Sequence, residues 1–391
     1  MKILILEWDS FAQEYISEAF RKADCQVELY PWPFGLENMR ENIKLKSLLE
    51  KKLSEETYSF VFSLNFFPVV SGACFACGIR YISWVYDMPY LLLYSKHIKY
   101  ETTTVYVFDR MLCRSLNDAG IANVYYMPMA APVHYYDSLD ANKGKAFQAE
   151  VSFVGSLYTE ENQNFYRNLD GINDYSRGYL EALIQSQKDI YGTFFIEDLL
   201  NEQVTNELRR VCPMDKGEDE WETDQWIYAN YFLARRLTGI QREEILRLIA
   251  NEHQLKLYAP STTTGLALVE NCGPVDYVTQ MPYVFKNTRI NMNMTLRSIH
   301  SGIPLRAMDI MGCGGFLLTN YQEDFLEFFE QDVDYVYYTD NEDLLAKINY
   351  YLAHDEERMQ IAENGRIKVK NGHTYDHRIK VILDRIKGAY E

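Results

Sequence analysis

Positive charge is scarce in this chain. Lys and Arg number 39 against 56 Asp and Glu, a formal net charge of −17 over 391 residues. Phosphate backbones and anionic lipid surfaces are held by surplus basic side chains, so this balance argues against a nucleic-acid binder and against a protein spread on a membrane. Long apolar runs are also missing. No stretch approaches the roughly 18 apolar residues that a membrane span requires. The opening MKILILEWDS is too short an apolar run for a signal peptide and soon meets Glu7. Cysteine is sparse and scattered, at Cys25, Cys74, Cys77, Cys113, Cys212, Cys272 and Cys313. An odd count with no recognisable leader reads as reduced thiols in a cytoplasmic protein. Cys74-Phe-Ala-Cys77 is a C-x-x-C, but no second pair stands elsewhere to complete a tetrahedral zinc site, so core packing is expected. No repeat or low-complexity segment occurs.

The composition is otherwise that of an ordinary globular protein, 47% hydrophobic and 24% charged, and the length suits two domains. Apolar strand-like runs alternate with helical patterns from Lys2–Leu6 through Ala122–Met129. They resume from Glu150–Tyr158 through Asp334–Asp340. Such alternation predicts βαβ units and mostly parallel sheets. We therefore expect an α/β protein of two Rossmann-like domains, residues 1–140 and 145–375. A polar linker over Ala131–Ala149 would join them. The second domain would carry a helical insert at about 160–252 with an acidic break at Asp215–Asp224. A last helix, within 376–391, would pack back on the first domain. The turn after KILIL is EWDSFAQ, with no glycine for a pyrophosphate to approach, which excludes a dinucleotide fingerprint there.

The densest feature is RAMDIMGCGGFLLTN, Arg306 to Asn320. Its glycines follow a helical segment and precede a strand, the reverse of a phosphate loop, so they are expected to cap the helix and allow close packing. The other end of that helix is better suited to an anion. Ser298, Ser301 and Gly302 lead to Pro304, which fits a first helical turn, and a helix N-terminus offers N–H groups and partial positive charge. Arg306 and Asp309 lie one turn apart on one face. The arginine would reinforce an anion site and the carboxylate would accept ribose hydroxyls; equally, the two would form an ordinary ion pair on a solvated face. Upstream, SFVGSLY ends a strand in Gly155-Ser156, a turn where backbone N–H groups can approach a phosphate.

Ile290–Phe325 resembles the donor-binding half of GT-B glycosyltransferases, and among them the bacterial spore-maturation (CgeB-like) family. SFVGSLY resembles that family's first C-terminal strand and turn, and ISWVYDMPY, VFDR and NVYYMPMAA resemble its N-terminal module. The resemblance implies a GT-B fold and transfer of a sugar from a nucleotide-diphosphate sugar, a UDP-sugar being the favoured donor. It implies a polysaccharide, glycolipid or protein acceptor and no cofactor. Related enzymes carry two acids eight positions apart, the first on the donor sugar and the second on the ribose. Asp309 matches the second, while Ser301 stands where the first would be. His300 beside it is a candidate for the phosphate or sugar.

Asp87, at the end of ISWVYD and before Met88-Pro89, is the candidate catalytic residue, at a strand end where open α/β sheets place active groups. Its bland alternative is an aspartate bonding its own turn. His97 and His134 are runners-up, and Asp109 and Arg110 end another strand. Tyr283 is a candidate platform for the nucleobase. Asp332-Val333-Asp334 is a formal D-x-D, but it lies in an acidic run read as solvated loop, so no metal site is expected. Neutralisation of the diphosphate then falls to Arg306, the helix N-terminus, and Lys286 or Arg289. Alternatives to a transferase are a nucleotide-sugar epimerase and a catalytically silent carbohydrate- or nucleotide-binding partner protein.

Overall fold

The computed structural model describes all residues except Asp9, 34–37, Asp215, Glu218, Asp219, Thr264 and 389–391, with only the backbone of Ala141. The chain divides into two compact units, Met1–Ala130 with Asp215–Glu222 and His373–Glu391, and Ala131–Met214 with Thr223–Gly372.

The first unit is built on a six-stranded sheet ordered β2-β1-β3-β4-β5-β6. Its strands are β1 (Lys2–Glu7), β2 (Gln26–Pro31), β3 (Phe60–Leu64), β4 (Arg80–Val85), β5 (Thr103–Val107) and β6 (Val124–Tyr126). The second unit has six more, ordered β12-β11-β10-β7-β8-β9. These are β7 (Ala149–Val154), β8 (Leu255–Tyr258), β9 (Glu270–Asn271), β10 (Thr288–Asn293), β11 (Leu317–Asn320) and β12 (Val336–Tyr338). Every pairing is parallel. Parallel strands are covered on both faces, which is why the central ones read as unbroken apolar runs. Ile3 to Leu6 and Phe60 to Phe62 are all fully buried. In the second unit Val151, Phe153, Leu257, Ile290, Met292 and Leu318 join one core.

Strand order places the site. In the second sheet the chain runs outward from β7 to β8 and β9, then returns to the other side of β7 as β10. The switch point thus lies between β7 and β10, and ligands of open α/β sheets bind outside the carboxyl ends of the strands at such a point. β1 and β3 make the corresponding switch in the first sheet.

Two segments differ from the sequence reading. Residues 131–149 are not a linker: they belong with the second unit, form a helix at Val133–Ser138 and a 3-10 segment at Ala141–Phe147, and bury Tyr136. The acidic break does not stay with the helical insert either. Asp215–Glu222 clusters with the first unit, where Arg40 pairs with Glu220 at 2.5 Å and Trp221 packs on Tyr94.

Candidate active site

The loop leaving β10, residues 294–304, is held by other elements at nearly every step. Arg242 reaches the carbonyl of Met294, and Asn320 Oδ1 accepts from the N–H of Thr295 at 2.7 Å. Thr238 Oγ1 accepts from the N–H of Arg297 at 3.0 Å. Gln322 donates to the carbonyls of Ile299 and Gly302, both at 3.1 Å, and Asp324 N–H donates to that of Ser301 at 3.0 Å. A loop fixed this way loses little entropy when a ligand binds it.

Arg242 does more than hold one loop. It is buried on the helix Ala234–Ala250 and also donates to the carbonyl of Ser156 at 2.6 Å, so one guanidinium joins the two loops that flank the switch point. Its charge rests over the rings of Phe153 and Tyr158, 5.1 and 4.9 Å from their centres. The Gly155-Ser156 turn is ordered around it. Ser156 Oγ donates to Glu160 at 2.7 Å and accepts from Tyr158 N–H at 2.7 Å, while Ser261 donates to the other Glu160 oxygen. Burial pushes the Glu160 carboxyl up, but the Ser261 and Ser156 hydroxyls outweigh it and hold it below its ordinary value.

The loop leads into the helix Leu305–Gly312, with Pro304 at its N-cap rather than in its first turn. Asp309 is wholly buried, so the solvated-face reading of the Arg306–Asp309 pair is wrong: a surface carboxylate would not be sealed from water. One oxygen accepts from Tyr136 and Tyr277, each at 2.9 Å; the other has no hydrogen-bond partner and faces Arg306 at 3.7 Å. Burial raises the Asp309 pKa to about 6, with Arg306 and the two tyrosines opposing the rise. Arg306 stays partly open, near Met281 and beside the rings of Tyr277 and Phe285.

The helix ends as the glycines suggest. Gly315 N–H bonds Ile310 O at 2.9 Å and Gly314 N–H bonds Met311 O at 2.9 Å, a Schellman cap with Gly314 at φ +79°. Gly315 is needed for contact: a Cβ there would sit 2.7 Å from Asn291 Nδ2 and 2.8 Å from Phe285 O.

The second unit thus gathers Gly155, Ser156, His300, Ser301, Gly302, Arg306 and Asp309 on the carboxyl-end loops of β7 and β10 and the helix after β10. Tyr283 is placed differently. It sits on the helix Met281–Asn287, close against the backbone of Gly144, and Tyr277 is the tyrosine that reaches Arg306 and Asp309. Arg289 is committed to Leu352 O and Asp355, away from Arg306. The D-x-D is solvated only in part: Asp332 and Val333 are exposed, but Asp334 is 3% exposed, accepts from Glu330 N–H at 2.9 Å and pairs with Lys368 at 3.5 Å. Among the described residues no group of three His, Cys, Asp or Glu is placed to hold a metal ion, and no helix is long and apolar enough to cross a membrane.

In the first unit, Asp87 is exposed just beyond β4. Asn65, beyond β3 and at φ +59°, donates to Asp87 Oδ2 at 2.8 Å and accepts from the N–H groups of Tyr86 and Asp87 at 2.9 and 3.2 Å. A neighbouring strand end, rather than its own turn alone, orients this carboxylate. Asp109 instead caps the helix Arg110–Asp118, accepting from Leu112 N–H at 2.8 Å, and Arg110 lies over the Tyr126 ring at 4.0 Å. His97 shares a hydrogen bond with Ser95 at 2.9 Å, and His134 belongs to the second unit. Cys74 is buried within the helix Pro68–Cys77 and Cys77 partly so, both as free thiols.

A family profile described as "Glycosyl transferase-like" matches residues 236–384. No curated protein matches the chain. Among solved structures it is similar to a sucrose-phosphate synthase from Thermosynechococcus elongatus, with a TM-score of 0.60 at 8% identity, covering 100% of each chain. It is also similar to a glycosyltransferase from Rickettsia africae, with a TM-score of 0.54 at 10% identity, covering 99% of this chain and 98% of that one. HepE of Anabaena, solved in complex with UDP-glucose, gives a TM-score of 0.54 at 12% identity, covering 98% of this chain and 100% of that one. Residues 236–384 thus match a glycosyl transferase-like profile, and the two parallel six-stranded sheets give the chain the GT-B fold of these structures.

Proposed function

We propose that the protein transfers a sugar from a nucleoside-diphosphate sugar to a polysaccharide, glycolipid or protein acceptor, with the donor held at the β7/β10 switch point. The observation that carries this reading is the buried Asp309 beside Arg306, on the helix that follows a loop fixed by six hydrogen bonds from five other residues. An acid with an unsatisfied oxygen next to a partly open arginine suits a ribose joined to a diphosphate.

The roles follow from the chemistry of each group. Asp309 accepts the ribose hydroxyls, exchanging one or both tyrosine hydroxyls for them. Arg306 and the first-turn N–H groups of Leu305–Gly312 take up the charge that develops on the leaving diphosphate, with Lys286 nearby on the helix Met281–Asn287. The Gly155-Ser156 turn lets the phosphates approach the backbone closely. Asp87, oriented by Asn65, takes the proton of the acceptor hydroxyl. Charge neutralisation by side chains and helix is the basis for reading the reaction as metal-independent.

A UDP-sugar is the favoured donor, the class of ligand with which HepE was solved. Within the glycosyltransferases we place the chain with the spore-maturation (CgeB-like) proteins, on the resemblance of Ile290–Phe325 and Ser152–Tyr158.

Thermal-shift titration with UDP, GDP, dTDP, ADP and CMP, each with EDTA and with Mg²⁺, tests the reading. A ligand at ~100 times its Kd stabilises the folded state by about 2.7 kcal/mol. One diphosphate should shift the parent equally with and without metal, and fail to shift Asp309→Ala. No shift from any nucleotide would overturn the donor site, and a shift that requires Mg²⁺ would overturn metal independence.

A further inference from the structure

The helical insert reaches the donor loop at one place. The helix Asp174–Lys188 ends in a short loop, residues 190–195, organised by the fully buried Gln187. Its side-chain amide donates to the carbonyls of Ile190 and Thr193 at 3.1 and 3.0 Å and accepts from Phe195 N–H at 2.9 Å. Arg297, in the loop after β10, grips the same segment. It is 8% exposed and donates to the carbonyls of Gln187, Lys188 and Ile190 at 3.1, 3.3 and 2.7 Å, with its charge 4.3 Å from the centre of the Tyr191 ring.

This grip brings two side chains together. Phe194 stacks on His300 with ring centres 5.4 Å apart and planes 29° from parallel, both rings half-buried. Gly192 passes so near Tyr321, just beyond β11, that an added Cβ would lie 3.2 Å from its ring. The insert loop therefore extends from the β10 loop to the exit of β11, on the carboxyl-end side of the sheet. His300 lies five residues before the helix that begins at Leu305. A diphosphate at that helix N-terminus places its sugar one bond further on, toward the residues that precede the helix.

We propose that residues 190–195 form a specificity element for the donor sugar, with Phe194 stacked on His300 as one wall of its pocket. This rests on the donor reading above. The wall suits an uncharged hexose. Residues 190–195 and 297–302 contain no Asp, Glu or Lys, and the single arginine among them is occupied by three carbonyls and by Gln241. Aromatic faces pack on the C–H faces of a pyranose ring.

The test is calorimetric titration of the parent, Phe194→Ala and Phe194→Leu with UDP, UDP-glucose, UDP-N-acetylglucosamine and UDP-glucuronic acid. The parent should bind one uncharged UDP-hexose about tenfold more tightly than the glucuronic acid conjugate. Phe194→Ala should bring the conjugates to within about twofold of one another while its affinity for UDP alone stays within about twofold of the parent's. Phe194→Leu keeps the apolar bulk, and it decides the question should the alanine variant not fold; it should lose part of the discrimination at unchanged UDP affinity. A variant that keeps the parent's ranking, or a parent that prefers the glucuronic acid conjugate, overturns the inference while leaving the donor site standing. A parent that binds neither UDP nor any conjugate overturns the uridine donor, and together with no thermal shift from any other nucleotide it overturns the donor reading itself.

Discussion

Asp309 is the residue whose chemistry is most exposed to test, because its burial makes it sensitive to pH. Its folded pKa of about 6 lies above the ordinary 3.8, so the folded chain holds this proton more tightly than the unfolded one. The stabilisation is complete at low pH and is lost as pH rises through about 6. The difference in unfolding free energy between the parent and Asp309→Asn should therefore change between pH 4 and pH 7, the parent losing ground as pH rises. Urea titrations at several pH values measure it, and superimposable slopes would refute the assignment. Binding should respond in the opposite sense. Ribose hydroxyls donate to the ionised carboxylate, so affinity for UDP-glucose should rise from pH 5 to pH 7, and Asp309→Asn should lose that rise. Spacing alone brought Arg306 and Asp309 together in the sequence. Tyr136 and Tyr277 were not legible, since they lie 173 and 32 positions from the aspartate they bond. Arg242 and Arg297 were hidden for the same reason: their partners, backbone carbonyls and for Arg297 also Gln241, lie on distant segments.

At the scale of elements, the helix Leu305–Gly312 depends on its end as much as on its face. A left-handed residue with a Cβ costs about 1–2 kcal/mol, so Gly314→Ala should lower stability by that order. Gly314→Asn should lower it less, because asparagine tolerates this conformation. Gly315→Ala meets Asn291 and the Phe285 carbonyl instead, and an overpacked site costs about 1–3 kcal/mol with nowhere for backbone to yield. Thermal unfolding of the three variants ranks them; Gly315→Ala at parental stability would show that the close approach is unimportant. The strands were legible because buried parallel strands are written as unbroken apolar runs. The helix Pro68–Cys77 was not, because its first seven residues are all buried and no period separates an inner from an outer face. β9 has two residues and no pattern to find.

For the whole molecule, the donor site as proposed draws on one unit only. Saturating UDP-glucose should slow amide exchange in residues 155–160 and 294–309 and leave β1 to β3 of the first unit at their ligand-free rates, as read by hydrogen-exchange mass spectrometry. Protection confined to the first unit would contradict the site. The two alternating series of strands were plain in the sequence. The excursion Asp215–Glu222 was not, because a break inside a helical stretch reads as part of that stretch until Arg40 is seen to meet Glu220.

That excursion bears on how such a protein can be taken apart. The backbone passes between the units after residues 130, 214, 222 and 372. Neither unit is one uninterrupted stretch of chain. A gene fragment covering residues 131–372 would carry eight codons belonging to the other unit, and a chimera that exchanged whole units would need four splice points rather than one. A single crossover after residue 130 would leave both those eight residues and residues 373–391 joined to the wrong partner.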